Sequence, residues 1–262
     1  MITPHRITRR ADDDGVDAHI VERDYVLAHV VAQLPKAQMP EGGRLVFKGG
    51  TALRFVHIGE YRYSADLDFT VLKGNAEDAA AALASAVAAA KEHGGFPTLD
   101  IRDGKTGLPR LAYIGPLGGK ARTVKLDLAV VEHVESVGQG TIHAGLWDDL
   151  PDAVPFDVYP LDEIAAEKLR CIIQRVQCRD LYDLMRLTAD LKVNLSDIRG
   201  LFEGKVRIKE LDPAIFAERF EDRIERYKKR WDREMREHLA DPPRLEDVVR
   251  VVSRRLRAAN LI

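Results

Sequence analysis

Two aspartates, Asp66 and Asp68, occupy alternate positions in the otherwise apolar segment SADLDFTVL. Because the side chains of a strand alternate between its faces, both carboxylates are expected on one side, close to each other. Two anions at such short range repel each other unless a cation lies between them. Mg²⁺ is commonly held by one or two carboxylates together with substrate phosphates, so the pair indicates metal-dependent phosphoryl or nucleotidyl transfer. The polar face of an exposed strand would show the same pattern.

A third carboxylate, Asp127, lies at the centre of ARTVKLDLAVV, which also alternates like a strand. In this segment Lys125 shares a face with Asp127, and apolar residues occupy the other face. If this strand neighbours the one that carries Asp66 and Asp68, Asp127 would complete a cation site. It could also take the proton from an attacking hydroxyl.

A glycine turn precedes the aspartate pair. The apolar run RLVFK ends at Gly49 and Gly50, and TALRFVHIG can then form a helix. Bare backbone amides at such a turn can bind a triphosphate, and Thr51 adds a hydroxyl. Lys48 and Arg54 would add positive charge beside it.

The segments around these residues predict a mixed sheet followed by helices. Apolar spacing predicts a helix over 16–34, with Asp12 to Asp14 ahead of it as caps, and an alanine-rich helix over 76–95. FPTLDIRD, LPRLAYIG and ARTVKLDLAVV read as three short strands of an antiparallel meander.

From about residue 155 the pattern becomes helical. Two helices are predicted in LDEIAAEKLRCIIQR, with Asp162 as N-cap, and in RDLYDLMRLTADL, and two more charged helices finish the chain. We therefore predict an α+β domain over 1–155 and a helical domain over 156–262.

Composition excludes several classes of protein. No window approaches the roughly 18 apolar residues of a membrane-spanning helix, and the first residues lack a signal-peptide core, so the protein is expected to be cytoplasmic. Cys171 and Cys178 fit two reduced thiols better than a disulfide or a metal site.

The net charge is −2, but residues 204–262 contain 16 Lys and Arg against 12 Asp and Glu. A mildly basic surface of this kind could meet phosphates, although charged runs are often only the solvated face of a helix.

The motifs together resemble a known family. KGGTALR, followed by RYSADLDF and a later LDL, resembles the DNA polymerase β-like nucleotidyltransferase superfamily. More narrowly, the chain is similar to the AbiEii/AbiGii and MenT group of nucleotidyltransferase toxins, over about residues 18 to 190. Glu167-Lys168 and the later RDLYDL match motifs of that group, as does VERDYVLAHVV. The resemblance implies a polymerase β-like core with a mixed or antiparallel sheet, and a helical domain that completes the active site and contacts RNA.

Residue roles follow from the resemblance and from the chemistry above. By resemblance, Ser64 and Asp66 lie at the catalytic centre, Asp68 shares the metal, Lys168 faces the nucleotide phosphates, and Asp183 is a further acidic residue. The complete prediction names three groups of residues: catalytic Ser64, Asp66, Asp127, Lys168 and Asp183; nucleotide-binding Lys48, Gly49, Gly50, Thr51, Ser64 and Lys168; and metal-binding Asp66, Asp68 and Asp127.

Several alternatives stay open at this point. The spacing from Lys168 favours Asp183 over Asp180, and Asp180 could instead cap a helix or form an ion pair. Lys168 itself could be an ordinary surface lysine. Ser64 could contact the nucleotide, could be phosphorylated by a kinase-type antitoxin, as described for some members of the MenT group, or could only bond its own backbone.

The resemblance implies a toxin of a toxin–antitoxin or abortive-infection system. It would use Mg²⁺ or Mn²⁺ to transfer a nucleoside monophosphate from an NTP to the 3′ end of tRNA, which would block translation and growth. An antitoxin protein would be its partner. Two other readings are transfer to a protein hydroxyl, as in AMPylation, and an inactive module that binds a nucleotide or a partner.

Overall fold

The computed structural model describes residues 1–104, 108–143 and 145–262. These residues divide into two compact units. The first unit comprises Met1–Val131 and Val137–Val158, and the second comprises Glu132–Ser136 and Tyr159–Ile262. That each half folds as a separate domain, as proposed for 1–155 and 156–262, stays a prediction.

A seven-stranded mixed sheet forms the centre of the first unit. Its strands are β1 (Arg44–Lys48), β2 (Asp66–Leu72), β3 (Thr98–Asp103), β4 (Pro109–Ile114), β5 (Arg122–Ala129), β6 (Gly138–Gly140) and β7 (Phe156–Val158). In space the strands follow the order β3-β4-β5-β2-β1-β7-β6. The predicted mixed sheet is confirmed, as is the antiparallel meander of β3, β4 and β5. The pairs β2–β5 and β1–β7 are parallel, whereas β1–β2 and β6–β7 are antiparallel.

The alternation in β2 determines which of its faces is buried. Leu67 and Phe69 are fully buried, whereas Asp66 and Asp68 are half-buried on the opposite face. Burial of the apolar side chains therefore fixes the register of the strand and turns both carboxylates to the same side.

The helices of the first unit are α1 (Pro4–Asp14), α2 (Ala18–Ala32), α3 (Gly49–Ala52) and α4 (Ala76–Gly94). Helix α3 continues as a π-helical segment, Leu53–Ile58, as far as Gly59, where the predicted helix also ends. The expectation that Asp12 to Asp14 cap the next helix is wrong, because they form the last turn of α1. The cap of α2 is Asp17, which accepts a hydrogen bond from the amide of His19.

The second unit is helical. Its helices are α5 (Leu161–Gln174), α6 (Cys178–Ala189), α7 (Arg199–Arg207), α8 (Phe216–Lys228), α9 (Trp231–Arg236) and α10 (Leu245–Ala258). The N-cap of α5 is Pro160, so Asp162 lies in the first turn and is not the cap. Cys171 and Cys178 are free thiols, both buried, as expected. No helix in the described ranges is long and apolar enough to cross a membrane.

Candidate active site

Strand pairing collects charged residues on one face of the sheet in the first unit. In the parallel ladder of β2 and β5, Asp68 lies opposite Asp127 and Asp66 lies opposite Lys125. In the antiparallel ladder of β1 and β2, Lys48 lies opposite Asp68. Because directly paired residues project to the same side of a sheet, all five side chains share one face. We call these five residues, three aspartates and two lysines, the carboxylate face.

Within this face, Lys125 forms an ion pair with Asp127. Its Nζ lies 2.8 Å from Asp127 Oδ2, and the two side chains are 42% and 45% exposed. Partial burial opposes the charged ammonium, but the hydrogen bond to Asp127 and the charges of Asp127, Asp68 and Asp66 raise the pKa of Lys125 above its ordinary value. The ammonium therefore stays protonated and lies within the field of all three carboxylates.

The carboxylate face has the ligand type, but not the assembled geometry, of a site for a hard divalent cation. Asp66 and Asp68 project from one strand, and Asp127 projects at the same level from the next. Carboxylate oxygens in such a group are the ligands that Mg²⁺ prefers. Across the described residues, no three His, Cys, Asp or Glu side chains are gathered closely enough to enclose an ion. Asp127 turns to Lys125 in this structure, so a positive charge already occupies the neighbourhood that an ion would take.

Neither glycine of the predicted turn has room for a side chain, because another residue's side chain lies directly against its backbone. Gly49 has a φ of +80°, and a Cβ atom there would lie 2.6 Å from Asp68 Oδ2. A Cβ atom at Gly50 would collide with the guanidinium of Arg62. The turn therefore brings bare backbone against Asp68, in a conformation that other residues rarely adopt.

Thr51 connects the glycine turn to the segment that carries Ser64 and Asp66. Its buried hydroxyl donates to the backbone carbonyl of Asp66 and lies 2.7 Å from Ser64 Oγ. Since the one hydroxyl proton of Thr51 is used on Asp66, Ser64 is the donor in the second bond. Ser64 is itself 7% exposed. The predicted contacts of both hydroxyls with a nucleotide stay predictions, and each hydroxyl already has a bonding role inside the protein.

The sequence position of Arg54 had indicated a free positive charge beside the glycine turn. The structure shows instead that its guanidinium is paired inside the protein. It is 3% exposed and pairs with Asp24 of α2, with Nη2 2.9 Å from Asp24 Oδ2. Its Nη1 donates to the carbonyl of Tyr61, and its guanidinium lies 4.2 Å from the ring centre of Tyr63. Arg54 therefore supports the backbone that leads to Ser64.

Two residues of α2 were missed in the sequence reasoning. Asp24 holds Arg54, and Arg23 donates from Nε to the carbonyl of Ser64 over 3.1 Å. The available signal was an Arg-Asp pair inside a helix whose later residues are almost all apolar. A buried carboxylate in such a helix requires a buried cation, and Arg54 provides it.

Lys168 and Asp183, the remaining predicted site residues, belong to the second unit. Lys168 Nζ lies 2.7 Å from Asp183 Oδ2 and 2.8 Å from Asp180 Oδ1, so the lysine pairs with both candidate aspartates. All three side chains are buried, and Asp180 also binds Arg175. Burial alone would raise the pKa of Asp180, but the charges and hydrogen bonds of Lys168 and Arg175 outweigh it and lower that pKa. Lys168 is thus not a surface lysine, and Asp180 does not cap α6, which begins after an uncapped Gln177.

Comparison with known proteins gives one family and several similar structures. The model of the family described as nucleotidyl transferase AbiEii toxin, type IV TA system, matches residues 34–254. MenT4, a nucleotidyltransferase toxin from Mycobacterium tuberculosis H37Rv, superposes with a TM-score of 0.59 at 19% identity, over 97% of this chain and 99% of that one. JHP933 from Helicobacter pylori superposes with a TM-score of 0.56 at 18% identity, over 93% of each chain. No match was found among the curated proteins.

These likenesses confirm the predicted nucleotidyltransferase fold. The family match also extends beyond residue 190, into helices where no motif was found in the sequence.

Proposed function

The chain belongs to the AbiEii family of nucleotidyl transferase toxins of type IV toxin–antitoxin systems, and from this premise we propose that it transfers a nucleoside monophosphate from an NTP to the 3′ end of tRNA. Family membership implies an NTP substrate and an antitoxin partner. The proposal adds the acceptor, a dependence on Mg²⁺ or Mn²⁺, and the consequence, which is a block of translation in the cytoplasm.

The observation that carries the proposal is the carboxylate face beside the glycine turn. Asp66 and Asp68 share one side of β2, Asp127 lies opposite Asp68, and the backbone at Gly49 approaches Asp68 closely. Three carboxylates on adjacent strands are costly to a fold unless they serve cations. A nucleotidyl transfer site needs this combination of anionic ligands and accessible backbone amides.

Each residue then has a definite task. A divalent ion bound by Asp66, Asp68 and Asp127 would neutralise the triphosphate and align the reacting oxygens. Asp127 accepts the proton of the acceptor hydroxyl, whose oxygen forms a bond to the α-phosphorus as the bond to pyrophosphate breaks. Lys48 faces the same side as these carboxylates and would hold the phosphates that leave. Thr51 keeps Ser64 and Asp66 against the turn.

Lys168 and Asp183 enter the proposal only through the resemblance. In the second unit, Lys168 already neutralises two buried carboxylates. A role toward nucleotide phosphates would therefore be additional to this structural one.

The RNA acceptor is supported by the charge of α10. Its exposed residues include Arg250, Arg254 and Arg257, which recur at helical spacing on one face. Neither Arg254 nor Arg257 has a carboxylate partner within the residues that the structure describes, so both are available to phosphates.

The test is transfer of label from each α-³²P NTP, with Mg²⁺ or Mn²⁺, to total cellular RNA. We expect label at the 3′ end of tRNA, lost tRNA aminoacylation, and no product with Asp66→Ala. Asp100→Ala is the matched control, because Asp100 is a half-buried aspartate on β3 that pairs with Arg102 outside the carboxylate face. Label on protein in place of RNA would move the acceptor to a protein hydroxyl. No label on either would overturn the proposal.

A further inference from the structure

Lys125 stands out because its sheet position places a cation among the carboxylates proposed to bind metal. It lies opposite Asp66 in the β2–β5 ladder and two residues before Asp127, on the same face as both. Its ammonium is in direct contact with Asp127, at 2.8 Å. Lys125 has no task in the proposed transfer reaction.

The ion pair has the properties of a replaceable contact. Both partners are more than two-fifths exposed, and exposed pairs of lysine with a carboxylate contribute little to stability. A divalent cation carries twice the charge and favours carboxylate oxygens, so it can compete with the ammonium for Asp127. The lysine ammonium and a divalent ion would compete for the same oxygen, Asp127 Oδ2, so only one of them can contact it directly.

We propose that Lys125 is an internal counter-cation for Asp127, which pairs with this carboxylate when no metal is bound and which a divalent ion must displace from it. This inference rests on the metal role in the proposed function. It makes Lys125 the residue that sets how tightly the site holds its metal. The face would then bind its ion more weakly than its three carboxylates alone would allow.

Direct metal binding tests the inference without any measurement of catalysis. Mn²⁺ would be titrated into the EDTA-treated full chain, and free Mn²⁺ would be followed by electron paramagnetic resonance. The variants are Lys125→Gln, which removes the charge; Lys125→Arg, which keeps it; and Asp66→Asn, which removes a ligand. Lys120→Gln is the matched control, since Lys120 is an exposed lysine in the turn that precedes β5.

Lys125→Gln is expected to bind Mn²⁺ about tenfold more tightly than the wild type, the size expected for a unit charge roughly 6 Å from a divalent ion at a dielectric constant of about 80. Lys125→Arg and Lys120→Gln should keep wild-type affinity, and Asp66→Asn should lose binding.

Two results would overturn the inference, and they are distinguishable. Equal Mn²⁺ affinity in wild type and Lys125→Gln, with binding lost in Asp66→Asn, would leave the metal site intact and reject the role of Lys125. Absence of Mn²⁺ binding in both wild type and Lys125→Gln would reject the metal site itself, and the inference with it.

Discussion

At the scale of single residues, the hydroxyl of Thr51 joins two parts of the candidate site that lie apart in the sequence. It is fully buried, donates to the carbonyl of Asp66 and accepts from the hydroxyl of Ser64. A buried polar group that loses a hydrogen bond without a replacement costs more than the bond itself contributes. The position of Asp66 therefore depends on a threonine that need not touch any substrate.

Replacement of Thr51 tests this dependence. Thr51→Val keeps the shape of the side chain but removes the hydroxyl, so it should lower the free energy of unfolding by about 2 kcal/mol. Thr51→Ser keeps the hydroxyl and removes one methyl group, which should cost about 1 kcal/mol. Urea unfolding at pH 7 measures both. If the valine variant proves as stable as the serine variant, these hydrogen bonds do not hold the site together.

Single residues also show why Arg54 was expected, wrongly, to lie free beside the glycine turn. In the sequence it follows a glycine turn and so suggested a phosphate contact. Its actual partner, Asp24, lies 30 residues earlier, and a pairing over such a separation leaves no local pattern. Asp180 and Asp183 are different, because residues at i and i+3 of a helix lie on one face. That spacing could have indicated that one lysine reaches both, whereas the sequence analysis favoured Asp183 over Asp180.

At the scale of elements, α2 carries a buried histidine that is kept neutral. His29 is 1% exposed, and its Nε2 lies 3.6 Å from Asp149 Oδ1. Burial and the neighbouring His93 lower the pKa of His29 from 6.5 to about 4, although Asp149 opposes the shift. The hydroxyl of Tyr25 donates to the other oxygen of Asp149 and completes the group that faces the ring.

This lowered pKa predicts a loss of stability in acid. The unfolded chain takes up a proton at His29 near pH 6.5, whereas the folded protein does so only near pH 4. The contribution is therefore fully present above pH 6.5 and is lost as the pH falls toward 4, by up to about 3 kcal/mol. His29→Phe, which keeps an aromatic ring against Tyr25 and Phe96, should lack this part of the pH dependence. Urea unfolding between pH 7 and pH 4 gives the comparison, and parallel curves for the two proteins would reject the assignment.

Helices α5 and α6 are joined by a buried charge cluster, so Lys168 affects stability as well as any chemistry. Lys168→Met would leave Asp183 buried without its cation and should cost about 3 to 5 kcal/mol. The double variant with Asp183→Asn should regain much of this loss, because Asp180 keeps Arg175. Lys228→Met, which breaks the exposed pair with Glu225 on α8, is the control and should cost less than about 1 kcal/mol. Thermal unfolding of the three proteins gives the answer, and a Lys168→Met protein as stable as the control would show that the cluster is not structural.

The same elements show how far sequence patterns reach. Strand β2 was predictable because Leu67 and Phe69 alternate with Asp66 and Asp68, and α4 because alanines end at a glycine stop. Strands β6 and β7 were not, since three residues are too few to show alternation. The parallel pairing of β2 with β5 was stated only as a condition, because the contact joins segments more than 50 residues apart. The carboxylate face depends on that pairing, so its residues could be predicted but their assembly could not.

At the scale of the whole molecule, charge is distributed unevenly along the chain. The net charge is −2, yet the last thirteen residues, from Arg250 onward, contain four arginines and no acidic residue. Three of these arginines, at positions 250, 254 and 257, are exposed on α10. Arg250 pairs with Asp247 at 2.8 Å, whereas Arg254 and Arg257 have no such partner in the described part of the chain. A short basic stripe on one helix face is thus available to a polyanion.

If this stripe holds the phosphates of the RNA acceptor, binding must depend steeply on salt. In a plot of the logarithm of the binding constant against the logarithm of the salt concentration, each phosphate contact adds about −0.7 to −0.9 to the slope. Replacement of Arg250, Arg254 and Arg257 by Gln should therefore make that slope shallower by about 2 to 3 and weaken tRNA binding about a hundredfold at 0.1 M salt. Fluorescence anisotropy of labelled tRNA, measured between 50 and 300 mM salt, gives both quantities.

The matched control removes three arginines that already have carboxylate partners: Arg6 with Asp148, Arg9 with Asp13 and Arg102 with Asp100. The change in net charge is the same in both triple variants, so any effect of overall charge alone must appear in both. A loss of affinity confined to the α10 variant would locate the phosphate contacts on that helix. Equal losses would mean that tRNA responds only to net charge. In that case the exposed arginines of α10 are a solvated helix face, and the RNA contacts of this toxin must be sought elsewhere.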